Sequence, residues 1–327
     1  MWNLLQKLNK HLVIAIPAMM VLGFLIGNLA GEERVAWMKI LIVPFTFLMV
    51  YPMMVSLNID HIKQGVKNVK LQGVALLINF GIIPFLAFGM GLYFFPDHPY
   101  LLLGLLLAAL LPTSGMTISW TGFAKGNLGA AINMTVIGLT IGSMVTPLYL
   151  QWLLGAQVEV DLLLVARQIV LIVFLPMALG YATRRALVSR YGQEGFKKQW
   201  APRFPPLSIV GVLGIVLVAI TLKADTIGEQ PSMLLGILLP LLLLYLANFV
   251  ISTVIGRLLF PRGEAIALVY GTVMRNLSIA LAIAINAFGP QGADAALVIA
   301  LAYIIQVQAA AWYVRWTDRF FGAPEAA

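Results

Sequence analysis

Arg275 is the residue of this chain whose position most demands a chemical explanation. It lies near the middle of an apolar run, 265–288, that is long enough to cross a bilayer. A guanidinium at mid-membrane costs at least about 2.5–3.5 kcal/mol, so it faces a polar cavity or a partner. Gly271 and the β-branched pair Thr272-Val273 stand just before it and make the helix easy to interrupt there. Freed backbone groups at that depth are tolerated only where protein or a water-filled cavity satisfies them. The stretch Gly271-Thr272-Val273-Met274-Arg275-Asn276 thus reads as a broken helix carrying a buried cation, which is how a binding site is built. The alternative is an arginine that snorkels or pairs between helices.

A second interruption is written at Leu111-Pro112-Thr113-Ser114-Gly115. Around it stand Thr117, Ser119 and Thr121, with Thr117 and Thr121 on one helical face. Asn133, Thr135 and Thr140 follow, and Thr272, Asn276, Ser278, Gln306 and Gln308 add polar groups from the second half. Half-helices starting after Gly115 and after Asn276 would present positive dipole ends to a shared centre. With Arg275 added and no acid inside any span beyond Asp294 at the outer end of the tenth, that centre is electropositive and suits a small anion or a neutral oxyacid. The candidate substrate residues are Arg275, Asn276, Thr113, Ser114, Thr117, Thr272, Ser278, Asn79 and Asn248. For any single Ser or Thr the competing reading is back-bonding to its own helix.

The elements that position these groups follow from composition. The 327 residues are 61% hydrophobic and 10% charged, with a mean hydropathy of +0.94. Soluble domains carry about 25% charged residues, so this is an integral membrane chain. Absence of cysteine excludes disulfides and thiolate metal sites. The three histidines fall in loops or at span ends, and no HExxH, GxSxG or Walker pattern appears, so neither metal nor cofactor is expected. Windows of about 19 residues give ten spans: 12–30, 38–57, 71–95, 100–123, 128–154, 162–182, 207–222, 233–260, 265–288 and 293–316. The first, preceded by Lys7 and Lys10, has the look of a signal peptide, but nine later spans favour a start-anchored helix.

The net charge of +8 would suggest nucleic acid until its residues are placed. Lys7, Lys10, Lys63, Lys67, Lys70 and Lys125 share one side with the Arg184–Arg203 loop, Arg257, Arg262, Arg315 and Arg319. The other side holds Arg34, Lys39 and Lys223 among acids; Arg167 stands near that end of its span, within snorkelling reach. The positive-inside rule then puts both termini in the cytoplasm and sets the chain in a bilayer, with no nucleic-acid role. Spans 1 and 6 each carry Pro then Gly (Pro17, Gly23; Pro176, Gly180), and spans 3 and 8 each carry Asn and Pro (Asn79, Pro84; Asn248, Pro240). Spans 4 and 9 each follow Phe-Pro and each break at similar depth. The expected fold is therefore all-α and polytopic, with two five-span repeats, 1–155 and 156–327, inverted because five is odd. Breaks at matching places in inverted halves point to a secondary transporter's binding site. Ordinary Pro and Gly enrichment in membrane helices is the competing explanation.

On these residues the chain resembles the superfamily of bile acid:sodium symporters and arsenical-resistance (arsenite) efflux permeases, over all ten spans. The resemblance is carried by Tyr51-Pro52-Met53-Met54, Pro112-Thr113-Ser114-Gly115, Ala124-Lys125-Gly126-Asn127, and Arg275-Asn276 ahead of Ala280-Leu281-Ala282-Ile283-Ala284. It implies a core domain whose spans 4 and 9 cross at their breaks, with a panel of spans 1, 2, 6 and 7 that moves during alternating access. It also shows departures. Gly271 stands where the sodium-coupled branch has a glutamate, and Arg275 replaces a glutamine. The coupling-ion candidates it leaves are Thr117, Thr135 and Met274, and Arg275 stands in for the sodium charge. The arsenite branch has a cysteine in span 4; this chain has none. The reading is a transporter of a small anion or oxyacid coupled to protons or sodium, by arsenite-type efflux or organic-anion uptake. A membrane-embedded enzyme or receptor and a passive channel are the other classes; for catalysis the interiors of the spans offer no Asp, Glu, His or Cys.

Overall fold

The computed structural model describes residues 12–56, 68–158, 160–222, 224–229 and 232–323. Lys7, Lys10, Lys63, Lys67 and Lys223, which carry part of the topology reading, lie outside the described residues, as do His11, His61 and Glu159. Among the described residues all regular elements are helical, and one isolated antiparallel bridge joins Pro112 to Arg275. In order the helices are α1 (Leu12–Ala30), α2 (Ile42–Ser56), α3 (Val69–Phe94), α4 (Pro99–Leu110), α5 (Gly115–Phe123), α6 (Leu128–Leu154) and α7 (Leu162–Ile169). Then come α8 (Leu175–Gly195), α9 (Phe204–Thr221), α10 (Ser232–Leu259), α11 (Arg262–Val273), α12 (Leu277–Phe288) and α13 (Gly292–Phe321).

Among the described residues six helical stretches are long and apolar enough to cross a membrane. With lipid-sized apolar side chains such as Leu29, Leu163 and Leu258 more than three-quarters exposed, this is an all-α, multi-pass membrane protein. The grouping differs from the hydropathy spans for two reasons. The breaks cut two spans into halves of 9 to 12 residues, and Leu162–Thr221 runs as a single helical stretch.

Proline accounts for the irregular turns. α3 widens into a π-helical turn at Leu77–Ile82, two residues before Pro84. The same order recurs at Val170–Phe174 before Pro176. A proline has no N–H for the carbonyl four residues back, and the turn before it opens. For Pro84 that carbonyl is Phe80, and the Tyr149 hydroxyl donates to it at 2.7 Å. The wide turn places Asn79 in the interior.

At the centre lie α4, α11, α12 and the first half of α13, buried on nearly all sides, as all-round apolar helices must be. Lipid tails are as apolar as leucine, so close contact rather than hydrophobic exclusion joins the helices. A Cβ on Gly104 of α4 would stand 2.7 Å from the Ala295 carbonyl oxygen of α13. Around this centre α9 packs on α1 and α2, and α8 packs on α2. The two groups meet where α12 lies against α2 and α7, and where α13 lies against α1. There the Asn286 amide donates to Thr46 Oγ1 at 3.2 Å.

Candidate substrate site at the helix breaks

The two breaks touch. The Asn276 N–H donates to the Leu111 carbonyl at 2.8 Å, and Pro112 pairs with Arg275 as a two-residue scrap of antiparallel sheet. The first break is sharp because Pro112 is followed by Thr113 at φ +65°, a region a β-branched residue seldom enters. The Thr113 hydroxyl holds that conformation by donating to the carbonyls of Pro112 and Thr135, at 2.7 and 3.1 Å. Opposite, α6 offers Gly142, where a Cβ would come within 2.8 Å of Pro112 Cδ.

Both new helices are capped by their own first residues. Ser114 Oγ accepts from Met116 N–H and Thr117 Oγ1 accepts from Ser114 N–H, a capping box. Asn276 Oδ1 accepts from Ile279 N–H at 3.3 Å.

The second break falls at Met274-Arg275-Asn276, within the stretch read as interrupted. α11 continues helically through Gly271 to Val273. The missing side chain of Gly271 serves packing instead: a Cβ there would lie 2.4 Å from Met134 Sδ on α6. The helix end is then capped from two other elements. Asn79 Nδ2 donates to the Gly271 carbonyl at 3.1 Å, and Asn248 Nδ2 to the Thr272 carbonyl at 2.9 Å. These are two of the four carbonyls that an α-helix leaves free at its end. Ser252 bonds both the Asn248 amide oxygen and the Thr272 hydroxyl.

Arg275 sits at the crossing, 3% exposed. Its Nη1 donates to Asn79 Oδ1 at 2.9 Å and to the Ala109 carbonyl at 3.0 Å. Ala109 belongs to the last turn of α4, where a cation is favoured by the helix dipole. Gln306 grips the backbone on both sides, accepting from Arg275 N–H at 2.7 Å and donating to Arg275 C=O at 3.2 Å. Tyr245 donates to the same Gln306 oxygen at 3.0 Å. Two donors have no protein partner, Arg275 Nη2 and Asn276 Nδ2. No Asp or Glu is buried among the described residues. Beside the guanidinium lies a cavity of about 10 Å³, bordered by Ala109, Tyr245 and Asn248, at the lower limit for one water.

Comparison with known proteins places this arrangement. The model of the sodium bile acid symporter family matches residues 43–230. The chain belongs to that family. An arsenical-resistance protein Acr3 of Corynebacterium glutamicum is 24% identical over 307 residues, covering 88% of this chain and 83% of Acr3. The uncharacterized sodium-dependent transporter YocS of Bacillus subtilis is 24% identical over 281 residues, covering 84% and 82%. A probable chloroplastic sodium/metabolite cotransporter, BASS2 of Oryza sativa subsp. japonica, is 27% identical over 259 residues, covering 76% of this chain and 57% of BASS2. YocS and BASS2 are named as transporters, and this chain is a membrane transporter of the symporter family, not an enzyme.

In this symporter-family chain the candidate residues separate by what they touch. Arg275, Asn276, Thr113, Asn79, Asn248 and Thr272 gather at the crossing through the bonds above. Ser114 and Thr117 are engaged in the α5 cap. The Thr135 hydroxyl bonds its own helix at Ala131, while its carbonyl takes Thr113. Met274 is fully buried, with its N–H on the Tyr270 carbonyl. Ser278 pairs with the Tyr303 hydroxyl of α13. The candidate list omitted Gln306, Tyr245 and Ser252. Tyr245 and Ser252 stand three residues before and four after Asn248, one face of one helix, and that spacing was the available signal.

Proposed function

We propose that the chain is a secondary active transporter that moves a small anion or oxyacid across the cytoplasmic membrane by alternating access. In this reading ten spans form two inverted repeats, 1–155 and 156–327, with both termini in the cytoplasm. The helices α1, α2, α7, α8 and α9 form a panel that moves against a core built on α3–α6 and α10–α13. The observation that carries the reading is Arg275: a buried guanidinium held by neutral acceptors, with Nη2 unpaired and, among the described residues, no buried acid to cancel it. Arg275 and Asn276 are the anchor, and Thr113, Ser114, Thr117, Thr272, Ser278, Asn79 and Asn248 shape or line the route. The naming of Acr3 as an arsenical-resistance protein favours an oxyacid such as arsenite, handled here without a thiolate since the chain has no cysteine.

A sodium-coupled organic-anion symporter is the second reading, favoured by the sodium-dependent relatives YocS and BASS2. Thr117, Thr135 and Met274 are its ion-site candidates. Counterflow in proteoliposomes separates the readings, with arsenite, a bile salt and small carboxylates tested under sodium and pH gradients. Saturable counterflow of one anion, lost in Arg275→Ala, is the expected result. Normal transport by Arg275→Ala would overturn the electropositive site, and flux that does not saturate would make the protein a channel. A requirement for sodium would select the symporter.

A further inference from the structure

On the outer face, away from the breaks, α10 and α13 run side by side and leave a groove of about 710 Å³. That volume lies within the roughly 300–1,000 Å³ of small-molecule sites. Its floor is closed by Thr253 and Tyr313, whose hydroxyls bond at 2.5 Å, and by Phe249, whose ring lies tilted against Tyr313 with centroids 4.7 Å apart. Its length is apolar, from Leu246 and Val250 to Trp312 and Trp316. Arg257 and Arg315 border the groove at one end. Both are exposed, and neither has an ion pair among the described residues. The nearby carboxylate of Asp318 is engaged by Arg262 at 2.6 Å. Arg319, one turn beyond Arg315, stacks over Trp316.

The depth of these groups fits a bilayer. α10 has 28 residues and α13 has 30, about 42 and 45 Å at 1.5 Å per residue. A hydrocarbon core is about 30 Å thick, so the last turns of both helices reach the headgroup layer. Tryptophans mark that boundary, and Trp316 lies beside the arginines.

We propose that this groove is a specific site for an anionic phospholipid, with an acyl chain along Leu246–Val254 and Trp312 and the phosphate between Arg257 and Arg315. A second copy of the chain is a poor occupant. A two-fold contact sets a patch against itself, and would bring four unpaired arginines together. A zwitterionic lipid supplies the chain but not the net charge.

The test is native mass spectrometry of the full-length protein in detergent, titrated with phosphatidylglycerol or phosphatidylcholine of the same acyl chains. Two interfacial arginines at about 1 kcal/mol each correspond to a preference of roughly 30-fold for phosphatidylglycerol. The variant Arg257→Ala with Arg315→Ala is expected to lose that preference while still binding both lipids weakly. Arg190→Ala, remote from the groove, is expected to keep it. Equal retention of the two lipids by the unaltered protein would overturn the proposal. So would a preference that survives the double variant, or a dimer that dissociates in Trp316→Ala.

Discussion

Replacing Asn79 with alanine perturbs two bonds at once, and the partner of one of them can be removed independently. Asn79 accepts from Arg275 Nη1 at 2.9 Å and donates to the Gly271 carbonyl at 3.1 Å. A buried hydrogen bond to a charged group contributes about 1.5–3 kcal/mol, and a neutral one about 1 kcal/mol. Asn79→Ala therefore costs about 2.5–4 kcal/mol, with the guanidinium left on the Ala109 carbonyl alone. Arg275→Met behaves differently. It leaves Asn79 Oδ1 and the Ala109 carbonyl without their donor, but it also removes a buried charge, and apolar replacement of buried charges is often neutral or stabilising. Its net cost is expected to be no more than about 2 kcal/mol. In the Arg275→Met background Asn79→Ala loses only the Gly271 bond, about 1–2 kcal/mol. The double-mutant cycle should thus show a coupling of about 2 kcal/mol, inside the range for residues in direct contact. Equilibrium unfolding in mixed detergent–denaturant micelles, followed by tryptophan fluorescence, supplies the four stabilities. Additivity within about 0.5 kcal/mol would refute the reasoning, because the guanidinium would then not depend on Asn79.

Gln306→Leu strips both backbone groups of Arg275 of their partners. It should destabilise by about 2–4 kcal/mol and speed amide exchange at 274–276, whereas Gln306→Glu keeps the acceptor and should protect the Arg275 N–H. Gly271→Ala forces a Cβ to within 2.4 Å of Met134 Sδ, an overpacking cost of about 1–3 kcal/mol that Met134→Ala should largely relieve in thermal melts. Arg275→Lys keeps the charge but not the planar fork, so counterflow should return only in part relative to Arg275→Ala.

That the chain is a multi-pass bundle of apolar helices was legible in the sequence because in a bilayer a helix must be apolar along its length. Helix ends deeper in the protein were less so. The interruption was legible as the stretch 271–276, but not Val273 as the residue at which α11 stops. Its end is set by donors from α3 and α10, 192 and 24 positions from the carbonyls they cap. No local propensity encodes a cap supplied from another helix. The π-helical turn that delivers Asn79 is written locally as Pro84, but the hydroxyl that satisfies Phe80 comes from Tyr149, 69 residues on. Likewise, Thr117 and Ser114 read as substrate ligands, with back-bonding to their own helix as the competing reading, and the structure engages both side chains in the α5 cap.

Arg275 is where sequence and structure give different kinds of information. The sequence shows a cation with no acid in reach, and the structure shows its held arm on two neutral acceptors, Asn79 and the Ala109 carbonyl. A guanidinium serving only to pin two helices together would be better neutralised by a carboxylate, or replaced by methionine, since a buried charge held by neutral groups keeps much of its desolvation penalty. Hydrogen bonds from Asn79 to Gly271 and from Gln306 to Arg275 already fasten the crossing without that charge. What the arginine adds is an uncancelled positive charge and the unpaired Nη2, at the point where both broken helices meet. Stability alone does not account for those two properties, whereas the proposed recognition of an anion would use both of them.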